Sequence, residues 1–283
     1  MASTQEGREV VARRLSRRYC DAGDTQALQD DVTGAIESYR RATELDERSA
    51  RAHLSLGDSY ALVERDDEAF RAYQRALRTH PDNADAHFCM ADLLGRSGRL
   101  QEAIGEMELA VEADPERPYY CYRLAELYAL AGDDEMAEAA LMAAIAGDPG
   151  EGLYRYKLGE LHVRSGQWLP AAQAYLRATE CAPLDDFYHV RLASALIRLN
   201  RREAAAKVLR RTVRIAPDNR AYRYLLGELL VLNGDLEAGS EQLRRAGRLD
   251  DYDRDFVRRA KRRSGQLHED EKLVLISAVE TPA

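Results

Sequence analysis

Long apolar runs are absent from this sequence. None of its 283 residues belongs to a run of about 18 consecutive apolar residues, the length at which a membrane-spanning helix is expected. The opening stretch, MASTQEGREVVARR, also lacks the apolar core of a secretion signal. We therefore predict a cytoplasmic protein that does not insert into a membrane.

An excess of positive charge is missing as well. The chain has 41 Lys and Arg against 49 Asp and Glu, a formal net charge of −8, and the two signs are interspersed. Binding to phosphate backbones requires a basic field. We therefore expect no nucleic acid partner, and a helix-hairpin protein that reads RNA is a remote alternative.

Motifs of enzyme chemistry are also missing. The sequence contains no HExxH, Walker A, Rossmann glycine motif or nucleophile elbow. The four cysteines, Cys20, Cys89, Cys121 and Cys181, form no CxxC pair. We interpret them as small apolar residues in a reducing compartment, with a metal or disulfide role as the alternative. The prediction is a non-enzymatic protein without a metal or cofactor.

What the sequence does contain is a helical hairpin, clearest in 152–183. Apolar residues recur at helical spacing in 152–165 and again in 169–181. Gly166 suits the left-handed residue that ends a helix, and Pro170 falls in the first turn of the next one. Neither helix can bury its apolar face alone.

This hairpin recurs along the chain at one constant spacing. The recurring prolines are Pro81, Pro115, Pro149, Pro183 and Pro217. A large apolar column contains Leu56, Met90, Leu124, Leu158, Leu192 and Leu226, each followed by Gly or Ala. Two small-residue columns are Ala69, Ala103, Ala137, Ala171, Ala205 and Gly239, and Ala76, Ala110, Ala144, Ala178, Thr212 and Ala246. Small residues are required where two helix backbones approach closely. The turn column has Gly or Asn, except for Glu64.

These columns resemble those of the tetratricopeptide repeat (TPR) family, in which a large residue, Leu-Gly, Tyr, Ala, an aromatic residue, Ala and Pro occupy fixed places. The resemblance covers about 50–253 in six consecutive units. It implies an all-α fold, a right-handed α-α superhelix (TPR solenoid) of about seven helical hairpins plus a C-terminal capping helix.

The ends of the chain depart from the regular pattern. We interpret 1–49 as an irregular repeat with an enlarged turn, because Ala35 lies much farther along the chain from Tyr19 than Ala69 lies from Tyr60. Six regular units follow in 50–253. We predict a capping helix in 254–265 and a flexible tail in 266–283, whose apolar run 273–276 is an alternative docking segment.

In TPR proteins the first helix of each hairpin lines a concave groove. Carried over, this places one stripe at Leu54, Phe88, Tyr122, Tyr156, Val190 and Tyr224. Four residues on lies an acidic stripe, Asp58, Asp92, Glu126, Glu160, Ser194 and Glu228, with Arg123, Lys157 and Arg191 beside it. Residues at i and i+4 share a helix face. Such a groove suits an extended or helical peptide. Alternatively, the acids only pair with the arginines.

Two further columns have structural and functional interpretations. His53, His87 and His189 share one repeat position, and we interpret them as core or near-core residues. Tyr120, Tyr154, Tyr188 and Tyr222 form a neighbouring column. We interpret these tyrosines as bulky residues between repeats, with a tyrosine ladder that binds a partner as the alternative.

The predicted function is a protein–protein interaction scaffold or adaptor that holds a partner peptide or subunit for complex assembly. The lysine and asparagine pattern of TPR domains that clamp chaperone tails is absent, as is the asparagine ladder of the O-linked N-acetylglucosamine transferase repeats. The alternative is an accessory or regulatory subunit that positions an enzyme through its convex face or C-terminal tail. Self-association is left open, and the sequence identifies neither the partner nor the pathway.

Overall fold

A computed structural model describes residues 2–247 of the chain. Within them every regular element is an α-helix. The helices are α1 Ala2–Leu28, α2 Val32–Leu45, α3 Ala50–Leu62, α4 Asp66–Thr79, α5 Ala84–Arg96, α6 Leu100–Ala113, α7 Pro118–Ala131, α8 Asp134–Gly147, α9 Gly152–Arg164, α10 Trp168–Cys181, α11 Asp186–Arg198, α12 Arg202–Ile215, α13 Arg220–Leu232 and α14 Leu236–Gly247. The predicted capping helix and tail lie outside the described residues.

In this part of the chain consecutive helices pair as seven hairpins, α1 with α2 through to α13 with α14. The chain divides into two compact units, Met1–Gly147 and Asp148–Ala283. Inside each unit, the second helix of a hairpin packs against the first helix of the next hairpin, as α4 does against α5 and α10 against α11. The predicted all-α TPR fold is thereby confirmed.

The predicted small-residue columns lie inside the helix contacts. Ala69, Ala103, Ala137, Ala171 and Ala205 are all fully buried. The second column, from Ala76 to Ala246, is buried throughout. These small residues let the paired backbones approach closely, because a bulky side chain would overpack the contact.

The hairpin turns share one backbone conformation. The residue at the turn position has positive φ, with values from 57° to 88°, at Gly98, Gly132, Gly166, Asn200 and Gly234. Glu64, which departs from the Gly and Asn pattern, adopts the same conformation with φ 58°. The turn is therefore set by its place in the repeat, and Glu64 accepts a conformation that is unfavourable for its residue type.

The first hairpin corrects the sequence interpretation. Helix α1 continues to Leu28 through the segment predicted as an enlarged turn, and Asp30, with φ 60°, takes the turn position. A Cβ placed on Gly23 would lie 2.6 Å from the ring of Tyr39, just as one on Gly57 would lie 2.4 Å from the ring of Tyr73. The two pairs are one repeat apart, so this hairpin is regular. The enlarged turn was wrong because it matched Tyr19 with Tyr60 instead of with His53.

Candidate functional site

The residues of the predicted groove lie on the first helices of the hairpins. In the first unit they are on α3, α5 and α7, and in the second unit on α9, α11 and α13. Their exposure is uneven. Leu54, Phe88 and Tyr156 are half-buried, as is Lys157. Tyr122, Val190 and Tyr224 are buried in the unit cores.

An aromatic cluster joins α5 to α7 in the first unit. The ring of Phe88 stacks on the buried ring of Tyr120, with centroids 5.2 Å apart and planes at 22°. Tyr119 lies beside both Phe88 and Tyr122, at 5.8 Å from each centroid. Tyr119 remains 44% exposed. The cluster therefore presents one solvent-accessible ring that is supported by buried rings.

Charged side chains border this cluster. Arg123 Nη2 donates to Asp92 Oδ1 at 2.5 Å, and Arg123 Nη1 donates to Glu126 Oε2 at 3.2 Å. The Tyr122 hydroxyl donates to the same Glu126 carboxylate at 2.6 Å. Arg96 lies 3.6 Å from Asp92. Asp92 and Glu126 of the acidic stripe are thus paired with neighbouring arginines, as the alternative interpretation expected.

The second unit contains the same arrangement two repeats later. Tyr156 stacks on Tyr188 with centroids 5.5 Å apart and planes at 24°. Phe187 packs edge-on against Tyr156 at 5.2 Å and is 42% exposed. Arg191 pairs with Glu160 at 3.3 Å, and its guanidinium lies 5.2 Å from the Phe187 ring. The second unit therefore repeats the arrangement of aromatic rings and ion pair seen in the first unit, which consists of Phe88, Tyr119, Tyr120, Arg123 and Asp92.

We call these two sets the aromatic sites. Each is contained in one unit. Site 1 consists of Phe88, Asp92, Tyr119, Tyr120 and Arg123, and site 2 consists of Tyr156, Glu160, Phe187, Tyr188 and Arg191. The exposed rings, Tyr119 and Phe187, were missed by the sequence interpretation because they precede the predicted stripe by three positions. The signal was available, since both residues are aromatic and occupy the same repeat position.

Tyrosine hydroxyls on the second helices donate hydrogen bonds to carboxylates of the acidic stripe. The Tyr73 hydroxyl donates to Asp58 at 2.9 Å, and that of Tyr175 donates to Glu160. In the first hairpin Tyr39 donates to Asp24 at 2.7 Å. Asp24 therefore belongs to the acidic stripe, and the wrong register of the first hairpin concealed it.

Burial and these carboxylates shift the tyrosine titrations. Desolvation is the largest effect on Tyr122 and Tyr224, and the hydrogen bonds to Glu126 and Glu228 add to it, so the pKa of both phenols is raised. The Tyr224 hydroxyl donates to Glu228 at 2.7 Å. These phenols remain protonated donors at neutral pH.

The histidine column has a polar role that the sequence interpretation did not foresee. His53, His87 and His189 are buried, and in each Nε2 lies 2.8 to 3.1 Å from a backbone carbonyl six residues earlier. Arg155 and Arg223 donate to the equivalent carbonyls of Pro149 and Pro217 at 2.6 and 2.9 Å. The column therefore supplies donors to the loop that joins consecutive hairpins.

The neighbouring tyrosine column is structural. Tyr120, Tyr154 and Tyr222 are buried and Tyr188 is half-buried, so a tyrosine ladder that binds a partner is wrong. All four cysteines are free thiols. Among the described residues no cluster of His, Cys, Asp or Glu has an arrangement that would hold a metal ion. In the same part of the chain no helix is both long and apolar enough to cross a membrane.

Hairpins with buried alanine columns and a shared turn geometry define the chain as a TPR protein. More specifically, the sequence profile of the cilia and flagella-associated protein 70 C-terminal domain matches residues 3–262. The chain therefore belongs to this family. A search of curated proteins found no match.

Solved TPR structures are similar in fold. The C-terminal part of a TPR repeat-containing protein from Cytophaga hutchinsonii has a TM-score of 0.70 at 14% identity, covering 81% of this chain and 95% of that one. PilF from Pseudomonas aeruginosa has a TM-score of 0.60 at 18% identity, covering 77% and 99%. YrrB, described as a TPR protein with an unusual peptide-binding site, has a TM-score of 0.55 at 19% identity, covering 71% and 100%.

Proposed function

We propose that this chain is a non-enzymatic scaffold that holds a partner peptide or subunit on its first helices, for the assembly of a complex in the cytoplasm. The observation that carries the proposal is the repetition of the aromatic site. Each unit has an exposed ring, Tyr119 or Phe187, supported by stacked rings and bordered by an arginine–carboxylate pair.

The chemistry of these sites favours a peptide. A half-exposed ring offers a large contact area and loses few torsional states on binding, which is typical of binding hot spots. The neighbouring carboxylates are already paired, so the surface beside the ring is polar but nearly neutral. Such a surface suits an apolar anchor side chain together with the hydrogen-bonding groups of a peptide backbone.

The comparisons are consistent with this function. YrrB has a peptide-binding site by its own description, and it is built on the same fold. The matched family takes its name from a protein of cilia and flagella. The description of YrrB favours a protein or peptide partner for this chain, and the identity of that partner is left to experiment.

The experiment uses peptides selected by display against the intact chain. The affinity of a selected peptide is compared between the wild type and the variants Tyr119→Ala and Phe187→Ala. Loss of a hot-spot ring weakens binding about tenfold or more. Leu109→Ala and Leu176→Ala are matched controls on second helices, because these leucines are 45% and 47% exposed against 44% and 42% for the two rings.

The proposal predicts weaker binding in one ring variant or both, and unchanged binding in the leucine controls. Circular dichroism verifies that every variant is folded. Full affinity in a folded Tyr119→Ala/Phe187→Ala double variant would refute the assignment of the aromatic sites. Equal losses in the leucine controls would also refute it.

A further inference from the structure

A cleft lies between α2, α3 and α4 in the first unit. Its volume is about 250 Å³, and its lining includes Arg40, His53, Arg71, Ala72 and Arg75. On α3 the cleft uses His53, Leu56 and Tyr60, whereas the predicted groove uses Leu54 and Asp58. These two sets lie on different faces of the helix, since residues three and four apart share a face. The cleft is therefore distinct from the groove.

His53 leaves one ring nitrogen available to this cleft. The residue is 3% exposed, and Nε2 lies 3.0 Å from the Glu47 carbonyl oxygen. Because a carbonyl only accepts, Nε2 must be the donor in this pair. Nδ1 is buried and has no hydrogen-bond partner among the residues that the structure describes. An unpartnered polar atom in a buried position is costly unless a ligand satisfies it.

The next repeat shows what satisfies this nitrogen. His87 makes the same contact through Nε2, and its Nδ1 lies 2.7 Å from Glu106 Oε2. The residue equivalent to Glu106, one repeat earlier, is Ala72, which lines the cleft. The methyl group of Ala72 leaves the space that the Glu106 side chain fills one repeat later.

Arginines surround the space beside His53, but not the equivalent position beside His87 one repeat later. Arg40, Arg71 and Arg75 line the cleft, and their equivalents in the next repeat are Gln74, Gly105 and Leu109. Among residues 2–247, neither Arg71 nor Arg75 has an acidic oxygen within 4.0 Å, although the charge of Arg71 contributes to lowering the pKa of Glu68, whose main partner is Arg65. The acids of the cleft are already engaged, Glu68 by Arg65 at 2.6 Å and Glu44 by Arg40 at 4.0 Å.

We propose that this cleft binds an oxyanion, a carboxylate or a phosphoryl group, which bonds His53 Nδ1 in the way the Glu106 carboxylate bonds His87 and is held by Arg71 and Arg75. Guanidinium groups are well suited to such anions, because they donate charge-assisted hydrogen bonds in a fixed planar geometry. This site goes beyond the proposed peptide groove, and either one can fail without the other.

Binding is coupled to a proton. Desolvation lowers the pKa of His53, so the ring is neutral at physiological pH and Nδ1 carries no hydrogen. An oxyanion only accepts, so it requires His53 to take up a proton. The other charged or titratable groups in the cleft are Arg40, Glu44, Tyr60, Glu68, Arg71 and Arg75. Because the pKa of the free His53 ring lies below its ordinary value of 6.5, we expect affinity to rise as the pH falls towards that value and below it.

The test follows the histidine ring signals of the full chain by NMR. The probes are sodium sulfate, which is tetrahedral like a phosphoryl group and does not titrate in this pH range, and sodium acetate, which is a planar carboxylate. Ionic strength is held constant with chloride. His53→Gln assigns the His53 signals. His189 is the internal control, because it makes the same carbonyl contact but has Val208 in place of Ala72.

The proposal predicts a saturable shift of the His53 signals with one probe or both, and none at His189. The probe that acts identifies the kind of anion. Arg71→Gln/Arg75→Gln weakens binding about tenfold or more, because two charge-assisted hydrogen bonds are lost. Ala72→Glu supplies an internal carboxylate and abolishes the response. The proposal is overturned if neither probe moves the His53 signals, if His189 responds equally, or if the arginine variant binds as well as the wild type.

Discussion

At the scale of single residues, glycine, tyrosine and a carboxylate are coupled across the hairpin. The three sets are Gly23 with Tyr39 and Asp24, Gly57 with Tyr73 and Asp58, and Gly159 with Tyr175 and Glu160. Where alanine replaces this glycine, as at Ala91, Ala125 and Ala193, the facing residue is Met107, Leu141 or Leu209. A tyrosine ring reaches the carboxylate only by lying against the glycine Cα. In these three hairpins the glycine is therefore required by its tyrosine partner, whereas Gly227, at the same repeat position, faces Leu243.

This coupling predicts that Gly159→Ala destabilises the protein, although alanine is the better helix former. A Cβ on residue 159 would lie 2.5 Å from the Tyr175 ring, which is 1% exposed and has little room to move. We expect a loss of about 2–3 kcal/mol in the free energy of unfolding, measured by urea denaturation. Adding Tyr175→Leu recreates the Ala125–Leu141 pair and should recover about half of the loss. Additive effects of the two substitutions would contradict the coupling.

The turn column gives a second prediction at this scale. Glu64 has φ 58°, a conformation that costs a residue with a Cβ about 1 kcal/mol and costs glycine nothing. Glu64→Gly should therefore raise the free energy of unfolding by about 1 kcal/mol. Asn200→Gly, at φ 57°, is the control and should gain less, since asparagine tolerates this region. A urea midpoint that stays the same or falls in Glu64→Gly would count against this explanation.

At the scale of helices, most of the fold could be predicted because the packing constraint repeats. The hairpin predicted in 152–165 and 169–181 agrees with α9 Gly152–Arg164 and α10 Trp168–Cys181. The prediction for the first hairpin failed for a local reason. Tyr19 was aligned with Tyr60, but it occupies the repeat position of His53, and the segment DAGDTQALQDD contains no helix breaker that would have indicated the error. The contact between Gly23 and Tyr39 and the positive φ of Asp30 fix the register.

The candidate site was less predictable than the helices that carry it. Repeat position placed Phe88 and Tyr156 on first helices, where both are half-buried, but it did not show that Tyr122 and Val190 are buried. Exposure depends on the neighbouring helix, which differs between repeats. The stacking of Phe88 on Tyr120 and the pairing of Arg123 with Asp92 connect consecutive hairpins, so a pattern within one helix does not contain them.

The N-terminal part of α1 should contribute little to the stability of the protein. The regular hairpin begins near Ser16, whose hydroxyl donates to the Ala42 carbonyl at 2.9 Å. In 7–14, none of the residues is buried. Deleting 2–14 should therefore lower the melting temperature by less than about 2 °C. Extending the deletion to residue 20 removes the buried Ser16 and Cys20 and should lower it several times more. A large loss from the shorter deletion would show that this segment packs against the protein.

At the scale of the whole molecule, phenol–carboxylate bonds add to the apolar packing of each unit. Three of them join the two helices of a hairpin, from Tyr39, Tyr73 and Tyr175. Two more, from Tyr122 and Tyr224, stay within one helix. Every such phenol loses its donor hydrogen when it ionises, and it then places a negative charge beside a carboxylate. Because of these bonds to carboxylates, both units should lose stability at alkaline pH.

We predict that the folded chain loses stability as the pH rises from about 10 to about 12. Desolvation and then the Glu108 hydrogen bond raise the pKa of Tyr128 to about 12, and desolvation and then Asp186 raise that of Tyr222 to about 12. A phenol whose pKa is raised by folding stabilises the protein fully below its unfolded pKa, near 10, and this contribution disappears as the pH passes the folded pKa.

Urea midpoints measured across this range should therefore fall steadily. Tyrosinate absorbance should rise together with the loss of helical ellipticity. The urea midpoint of Tyr222→Phe should fall less steeply with pH than that of the wild type. Complete tyrosine ionisation near pH 10 in a chain that stays fully helical would contradict the prediction, because it would mean that the phenols titrate without leaving their carboxylate partners.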